Sequence, residues 1–218
     1  KEKVDEYFCC GDIVGYGADP GPCIEKTRAL TKFVVAGNHD WGTAGLCDIK
    51  NFTENAKAAI LWTADRLTKA EKDYLQSLRL VIKNDPSLAH GSPNSPEDFN
   101  YVFDLSSAFK SFQSMKDETV YFVGHTHAAG VFVSNSEGYV GYNPWTEVKF
   151  EKGNKYLVNV GSVGQPRDND PRAAYCIYDA EKGAIQIKRV SYNVARTQEK
   201  IIKAGLPVIF AERLSLGK

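Results

Sequence analysis

Five short apolar runs in this chain each stop at a polar side chain, and that arrangement limits the fold more than any other feature. "YFCCG" leads into Asp12, and "FVVAG" leads into Asn38, His39 and Asp40. "SLA" leads into His90, "VYFVG" into His125 and His127, and "YLVNVG" into Ser162, Gln165 and Arg167. Short runs rich in β-branched and aromatic residues, bounded by turn residues, read as strands. In open α/β sheets the loops at the carboxyl ends of strands converge on the ligand. All four histidines of the chain stand at such ends, where a random scatter would place most of them elsewhere. Glycine closes four of the five runs, which lets the backbone turn sharply and come close to a ligand.

Helical periodicity covers residues 23–32, 55–66, 69–78 and 106–115. A tail at 194–216 reads as two short helices broken around Gly205 and Pro207. Strand-like runs fall at 6–10, 33–36, 80–83, 87–89, 119–123, 131–134, 156–160, 174–179 and 184–190. The last two flank "DAEKGA", a hairpin signal built on Gly183. Helices alternate with strands early, and hairpins dominate late. The expected fold class is therefore α/β (α+β), with one large mixed sheet or two sheets and helices outside. No repeat and no Gly/Ser linker divides residues 1–218, so one domain is expected.

Charge adds an exclusion. Lysine plus arginine equals aspartate plus glutamate at 27 each, so nothing points to nucleic acid or an anionic membrane as a partner. The five cysteines are odd in number and match no zinc module, so they read as reduced residues. With no signal peptide visible, the expected compartment is the cytoplasm.

His125-Thr126-His127 has metal-ligand spacing. On an extended backbone the side chains at i and i+2 share a face, so the two imidazoles are expected to converge on one spot. Taken singly, Asp12 reads as a cap or turn residue, Asn38 as a turn residue and His90 as a loop histidine. Together they form a donor set of oxygen and nitrogen without thiolate. Such a set suits Mn, Fe, Zn or Co, and a carboxylate with three imidazoles suits a two-metal hydrolytic centre. A rival reading starts from "GYGADPG", which mimics a dinucleotide-binding turn with Asp40 as the distal acid. Its G-x-G-x-x-x-G spacing departs from the fingerprint, Asp-Pro interrupts the turn, and His90, His125 and His127 would have no role.

In order, "GDIVGYG", "GNHD", "HGSP" and "GHTH" resemble the motifs of the calcineurin-like metallophosphoesterase superfamily. The later "VNVGSVGQPRD", "AYCIYD" and the tail resemble its small bacterial and archaeal phosphodiesterase-type branch, so the likeness runs from about Val4 to the C-terminus. The resemblance implies a four-layer α/β/β/α sandwich of two mixed β-sheets flanked by helices. It also implies a binuclear centre of divalent ions, with Mn favoured. Asp12 is then the bridging carboxylate, Asn38, His90 and His125 complete the ligands of one ion, and His127 belongs to the other. His39 is the non-ligand histidine beside the substrate phosphate, with Asp40 orienting its ring. The implied reaction is hydrolysis of a small phosphate ester, first of all a phosphodiester, by water activated between the ions, with His39 assisting. Tyr16 and Trp41 are candidates for stacking on a leaving group. Arg167, with the amides of 161–164, is a candidate for the phosphate pocket. For each of these, core packing or a structural turn is the competing reading.

One motif of the family has no counterpart. No aspartate here has a histidine two positions later. The expectation is that a leading strand and helix of on the order of 25 residues are missing. One ion then keeps four ligands, and the other keeps Asp12 and His127. Two further readings stay open: a non-catalytic interaction scaffold on the same fold, and a phosphatase for phosphoproteins or dinucleoside polyphosphates. Retention of His39 and of the motif ligands argues against the scaffold. The oligomeric state is left open.

Overall fold

The alternation of side chains in one central strand already separates two cores. In the computed structural model, which describes residues 2–218, β3 (Val120–Val123) is buried at every position. Val120 and Phe122 face one core, while Tyr121 and Val123 face another. Around β3, a six-stranded sheet is built from β1 (Val81–Ile82), β2 (Ser87–Ala89), β4 (Gly130–Ser134), β5 (Val140–Asn143) and β7 (Lys155–Asn159). Its order is β1-β2-β3-β7-β4-β5. β2, β3 and β7 run parallel, with Leu88 opposite Phe122 and Phe122 opposite Val158. Their carboxyl ends therefore lie along one edge. A second sheet joins β6 (Glu147–Lys149), β8 (Ala173–Asp179) and β9 (Ala184–Val190) in the order β6-β9-β8.

The two sheets pack face to face. Leu88, Phe122, Val131 and Val158 of the larger meet Val148, Ile185 and Ile187 of the smaller. Full burial of each such side chain stabilises by about 1.5–3 kcal/mol. On the other face of the large sheet lies α5 (Leu105–Ser114), whose Ala108 and Phe112 cover Tyr121, Val123, Phe132 and Leu157. The result is two sheets flanked by helices, as expected from the sequence, but only the larger is mixed, since β6, β8 and β9 pair antiparallel throughout.

Local signals account for most helices. α1 (Pro20–Leu30) begins at Pro20 rather than at residue 23, because proline at the first helical position is preorganised and needs no donor. α3 (Glu54–Arg66) is capped by Thr53, and α4 (Lys69–Ser77) by Thr68 with Glu71 returning to its amide. α2 (Asn38–Ala44) is a short helix that periodicity did not reveal, since its seven residues, with Gly42 among them, hold too little pattern. The tail divides as expected into α6 (Val194–Lys203) and α7 (Ile209–Glu212), with a 3-10 turn at Arg213–Ser215. Leu206, Phe210, Ala211 and Leu214 of this tail pack with Ala59 of α3, and the Trp62 indole N–H donates to the Ala204 carbonyl at 2.8 Å.

Two expected strands are not regular strands. Residues 6–10 and 33–36 touch through a single bridge, Cys9 to Val34, and Val35 bridges to Arg79. Both segments leave extended geometry early. Gly11 turns at φ 88, and α2 starts directly after Gly37. β5 and β6 were not anticipated, because "VGYN" and "EVK" are mostly exposed and lack an apolar alternation. Among the described residues no helix is long and apolar enough to cross a membrane.

Candidate metal and phosphate site

The carboxyl ends of the parallel strands bring the predicted ligands together. His90 follows β2 and His125 follows β3, while Asp12 follows the extended segment that ends at Cys10. His90 Nε2 lies 3.3 Å from Asp12 Oδ2 and 3.1 Å from His125 Nδ1. One ligand-type atom from each of the three residues falls within 4.8 Å of the others.

Hydrogen bonds select the tautomers. His90 Nδ1 lies 2.6 Å from the Cys10 carbonyl, which accepts only, so Nδ1 carries the proton and Nε2 keeps its lone pair. His127 Nδ1 donates likewise to the Gln165 carbonyl at 2.8 Å, leaving its Nε2 free to bind. Second-partner bonds of this kind fix the ring of a metal-binding histidine. Burial, then the His90 charge, pushes His125 down to about 3. Burial, then Arg167, pushes His127 down to about 4. Both rings are therefore neutral near pH 7, as ligation requires. Burial would raise the Asp12 carboxyl, but His90, His39 and His125 outweigh it and hold the group well below the usual carboxylate range. For His90, burial is outweighed by Asp12, and its pKa rises. Asn38 presents a buried Oδ1 with no partner in the protein. An all-oxygen-and-nitrogen set with two imidazoles held neutral and an orphaned amide oxygen fits a divalent cation.

The geometry of the histidine triplet differs from the extended reading. His125 and His127 have φ 61 and 60, and Asp12 has φ 53. Among the described residues these are three of the six non-glycine residues in the left-handed region, a conformation costing about 1–3 kcal/mol that concentrates at functional sites. The triplet is therefore not extended, and only His125 joins the group formed with Asp12 and His90. His125 joins His90, whereas His127 turns toward Tyr16 and Gln165. Asn159, at the end of β7, secures the turn by donating to the Gly124 carbonyl at 2.6 Å and to Thr126 Oγ1 at 2.7 Å. Gly37 is required by contact rather than by dihedral angle. A Cβ there would fall on the Asp12 carboxylate and amide.

His39 sits beside this cluster and is almost fully buried. Its backbone N–H donates to Asp12 Oδ1 at 2.9 Å. Its ring lies 4.2 Å from Tyr16 and 5.5 Å edge-on to Phe52, and Nδ1 has no protein partner. Burial outweighs the Asp12 attraction and, with His90, Arg167 and Arg213, pushes the ring pKa down. Asp40 does not orient it. The Asp40 carboxylate accepts from the Gly37 amide at 2.9 Å and from the Val14 amide at 3.3 Å. As the third residue of α2 it turns back onto the helix start, so its oxygens are committed to backbone. Burial, then the Asp12 charge, pushes its pKa up. Asp40→Ala is expected to lower stability by about 1–3 kcal/mol for each buried amide left unpaired. Asp40→Asn should restore part of this. Equilibrium denaturation measures both. Wild-type stability in Asp40→Ala, combined with slowed chemistry, would return the residue to the ring-orienting role.

The outer wall is aromatic and basic. Trp41 packs edge-on to Phe99 at 5.4 Å, so its ring serves packing as well as the rim. Tyr101, which no sequence signal marked, stacks on His125 at 3.9 Å and 13° and is about half exposed. Arg167 lies over Tyr16 at 5.4 Å, and its amide donates to the His127 carbonyl at 3.0 Å. Arg213, from the tail, lies over the same ring at 4.8 Å. Tyr101 sits in an irregular loop and Arg213 ends a short helix, so neither carried a motif.

Comparison with known proteins follows the same lines. Residues 1–183 match the calcineurin-like phosphoesterase superfamily domain. The uncharacterized protein MJ0912 of Methanocaldococcus jannaschii is 37% identical over 221 aligned positions, covering 99% of this chain and 88% of that protein. The crystal structure of a metallophosphoesterase from Sphaerobacter thermophilus superposes with a TM-score of 0.87 at 35% identity, covering 99% of this chain and 90% of that one. The hypothetical protein PH1004 from Pyrococcus horikoshii has the same fold, with a TM-score of 0.78 at 20% identity, covering 99% of this chain and 86% of that one. On the match over most of its length and on these relatives, the chain belongs to the calcineurin-like phosphoesterase superfamily.

Proposed function

We propose that this protein is a metal-dependent phosphoesterase acting on phosphodiesters, with divalent ions held by Asp12, Asn38, His90, His125 and His127. The observation that carries the reading is the meeting of Asp12, His90 and His125 at the carboxyl ends of the strands, in a chain of this superfamily. Divalent ions bound there supply Lewis acidity for a phosphoryl oxygen and lower the pKa of a water. The chain's own residues do the positioning. Asp12 is fixed by the His39 amide, and His90 and His127 are aimed by carbonyls at their far nitrogens. His39, held neutral by burial between Tyr16 and Phe52, assists the leaving oxygen through a ring nitrogen that no protein group occupies. The exposed Tyr101 ring, with Tyr16 and Trp41, supplies apolar surface for an aryl or base-bearing leaving group.

Side-by-side assay of bis(p-nitrophenyl) phosphate and p-nitrophenyl phosphate with Mn²⁺ tests this. The diester is expected to show the higher kcat/KM. A clear monoester preference would refute the diester assignment. Absence of hydrolysis with any phosphate ester by metal-loaded protein would refute the enzyme and leave the scaffold.

A further inference from the structure

Two guanidinium groups share one aromatic ring beside the site, and neither has an acidic partner. Arg167 and Arg213 lie over Tyr16, and Arg213 also lies 4.7 Å from the Phe210 ring centre. Tyr16 in turn stands against His39 and, edge-on, 6.2 Å from His127. Elsewhere in the same region the basic groups are paired. Arg172 binds Asp170, and Arg189 binds Asp168. Among the described residues, no such ion pair forms at Arg167 or Arg213. Arg167 Nε, with Arg213 Nε and Nη2, is buried with no hydrogen-bond partner. Burial and the neighbouring Arg167 charge push Arg213 down to about 10, and Tyr16 opposes the shift only in part.

Buried charged donors without partners are destabilising, and two like charges side by side add to the cost. Stacking on Tyr16 offsets about 0.5–2 kcal/mol, and Arg213 also hydrogen-bonds the Tyr16 side chain, but Arg213 Nε and Nη2 stay unpaired. A polyanion would satisfy both groups. Guanidinium forks match phosphoryl oxygens in pairs, at short, charge-assisted distances. The tail is also tied to the loop that carries Arg167, since Gln165 Nε2 donates to the Phe210 carbonyl at 3.2 Å. Arg213 lies beyond residue 183, where the superfamily match ends, while Tyr16 and Arg167 lie within it.

We propose that Arg167 and Arg213, stacked on Tyr16, form a subsite for a second phosphoryl group of the substrate, next to the group that is hydrolysed. The position of the hydrolysed group rests on the phosphoesterase reading above. The substrate class is therefore an ester or anhydride carrying at least two phosphoryl groups. A simple diester, with one negative charge, leaves a guanidinium without a counter-charge.

Calorimetry on metal-free protein, prepared by chelation and dialysis, tests the subsite without turnover. Inorganic pyrophosphate is expected to bind about tenfold or more tighter than inorganic phosphate, a difference in the range that charge-assisted pairs provide. Arg167→Gln and Arg213→Gln should each remove most of that preference. Arg196→Gln, on the exposed face of α6, should keep it. Thermal denaturation checks folding. If Arg213→Gln does not fold, Arg213→Lys should still weaken pyrophosphate binding, because it keeps the charge and loses the fork. Equal affinity for the two anions in the wild type, or unchanged pyrophosphate affinity in folded Arg213 variants, overturns the proposal. A lower melting temperature alone would mean that Arg213 only packs. Turnover of bis(p-nitrophenyl) phosphate with Mn²⁺ is read separately. Arginine-dependent pyrophosphate binding without any turnover keeps the anion subsite and sinks the phosphoesterase reading. Turnover without such binding does the reverse.

Discussion

Excess chelator is expected to abolish the phosphate-ester turnover proposed for this protein, and added Mn²⁺ to restore it. The expectation rests on charge and protonation at the site. Asp12 is held ionised by the imidazoles around it, while His125 and His127 are pushed far below neutrality. His90 and His127 have their far nitrogens protonated against carbonyls, so each keeps a lone pair aimed inward. Asn38 adds an oxygen that the protein leaves unpaired. Without a cation the group is held together by a proton on His90, whose pKa rises beside Asp12, and a bound metal takes the place of that proton. Elemental analysis before and after chelation, alongside the rate, makes the check. Full activity in excess chelator, with no metal remaining in the protein, would eliminate the metal-dependent reading.

His39→Ala is expected to lower kcat by about 10²–10⁴-fold, the usual contribution of a positioned acid or base. Metal content stays near that of the wild type. The bond from His39 to Asp12 is made by the backbone amide and survives the substitution. His125→Ala is instead expected to lose metal, because His125 offers one of three ligand-type atoms that lie within 4.8 Å of one another. Removing the His39 ring also leaves a void between Tyr16 and Phe52, so folding is followed in parallel. His39→Gln, which refills part of the space, should remain slow. Metal loss in His39→Ala with retention in His125→Ala would reverse the two roles.

Local chemistry made much of this protein legible from its residues. Thr53 and Thr68 start helices because a hydroxyl can accept from an amide three residues on, which needs no distant partner. The alternation of Val120–Val123 and of Tyr156–Val158 between two cores follows from strand geometry, and the parallel order of β2, β3 and β7 gathers the polar residues at their ends on one edge. That is why Asp12, His90 and His125 were readable as a set before any contact was known.

Tertiary structure decided what depends on contacts between distant segments. Asp40 was read beside its neighbour His39, but Gly37 and Val14 hold its oxygens, and Val14 is 26 positions away. His125 and His127 are not on an extended backbone, because the turn after β3 is left-handed and is clamped by Asn159, a residue more than 30 positions on. Residues 6–10 and 33–36 have strand composition, yet consecutive pairing depends on neighbours, and each makes only isolated bridges. Arg213 and Arg167 meet over Tyr16 only because the tail docks its apolar face on α3. Caps, periods and turn residues act within about one turn or one pleat, so the sequence by itself determines them. The partner of a buried charge is set by which chain segments the packed core brings together, and spacing along the chain does not encode that.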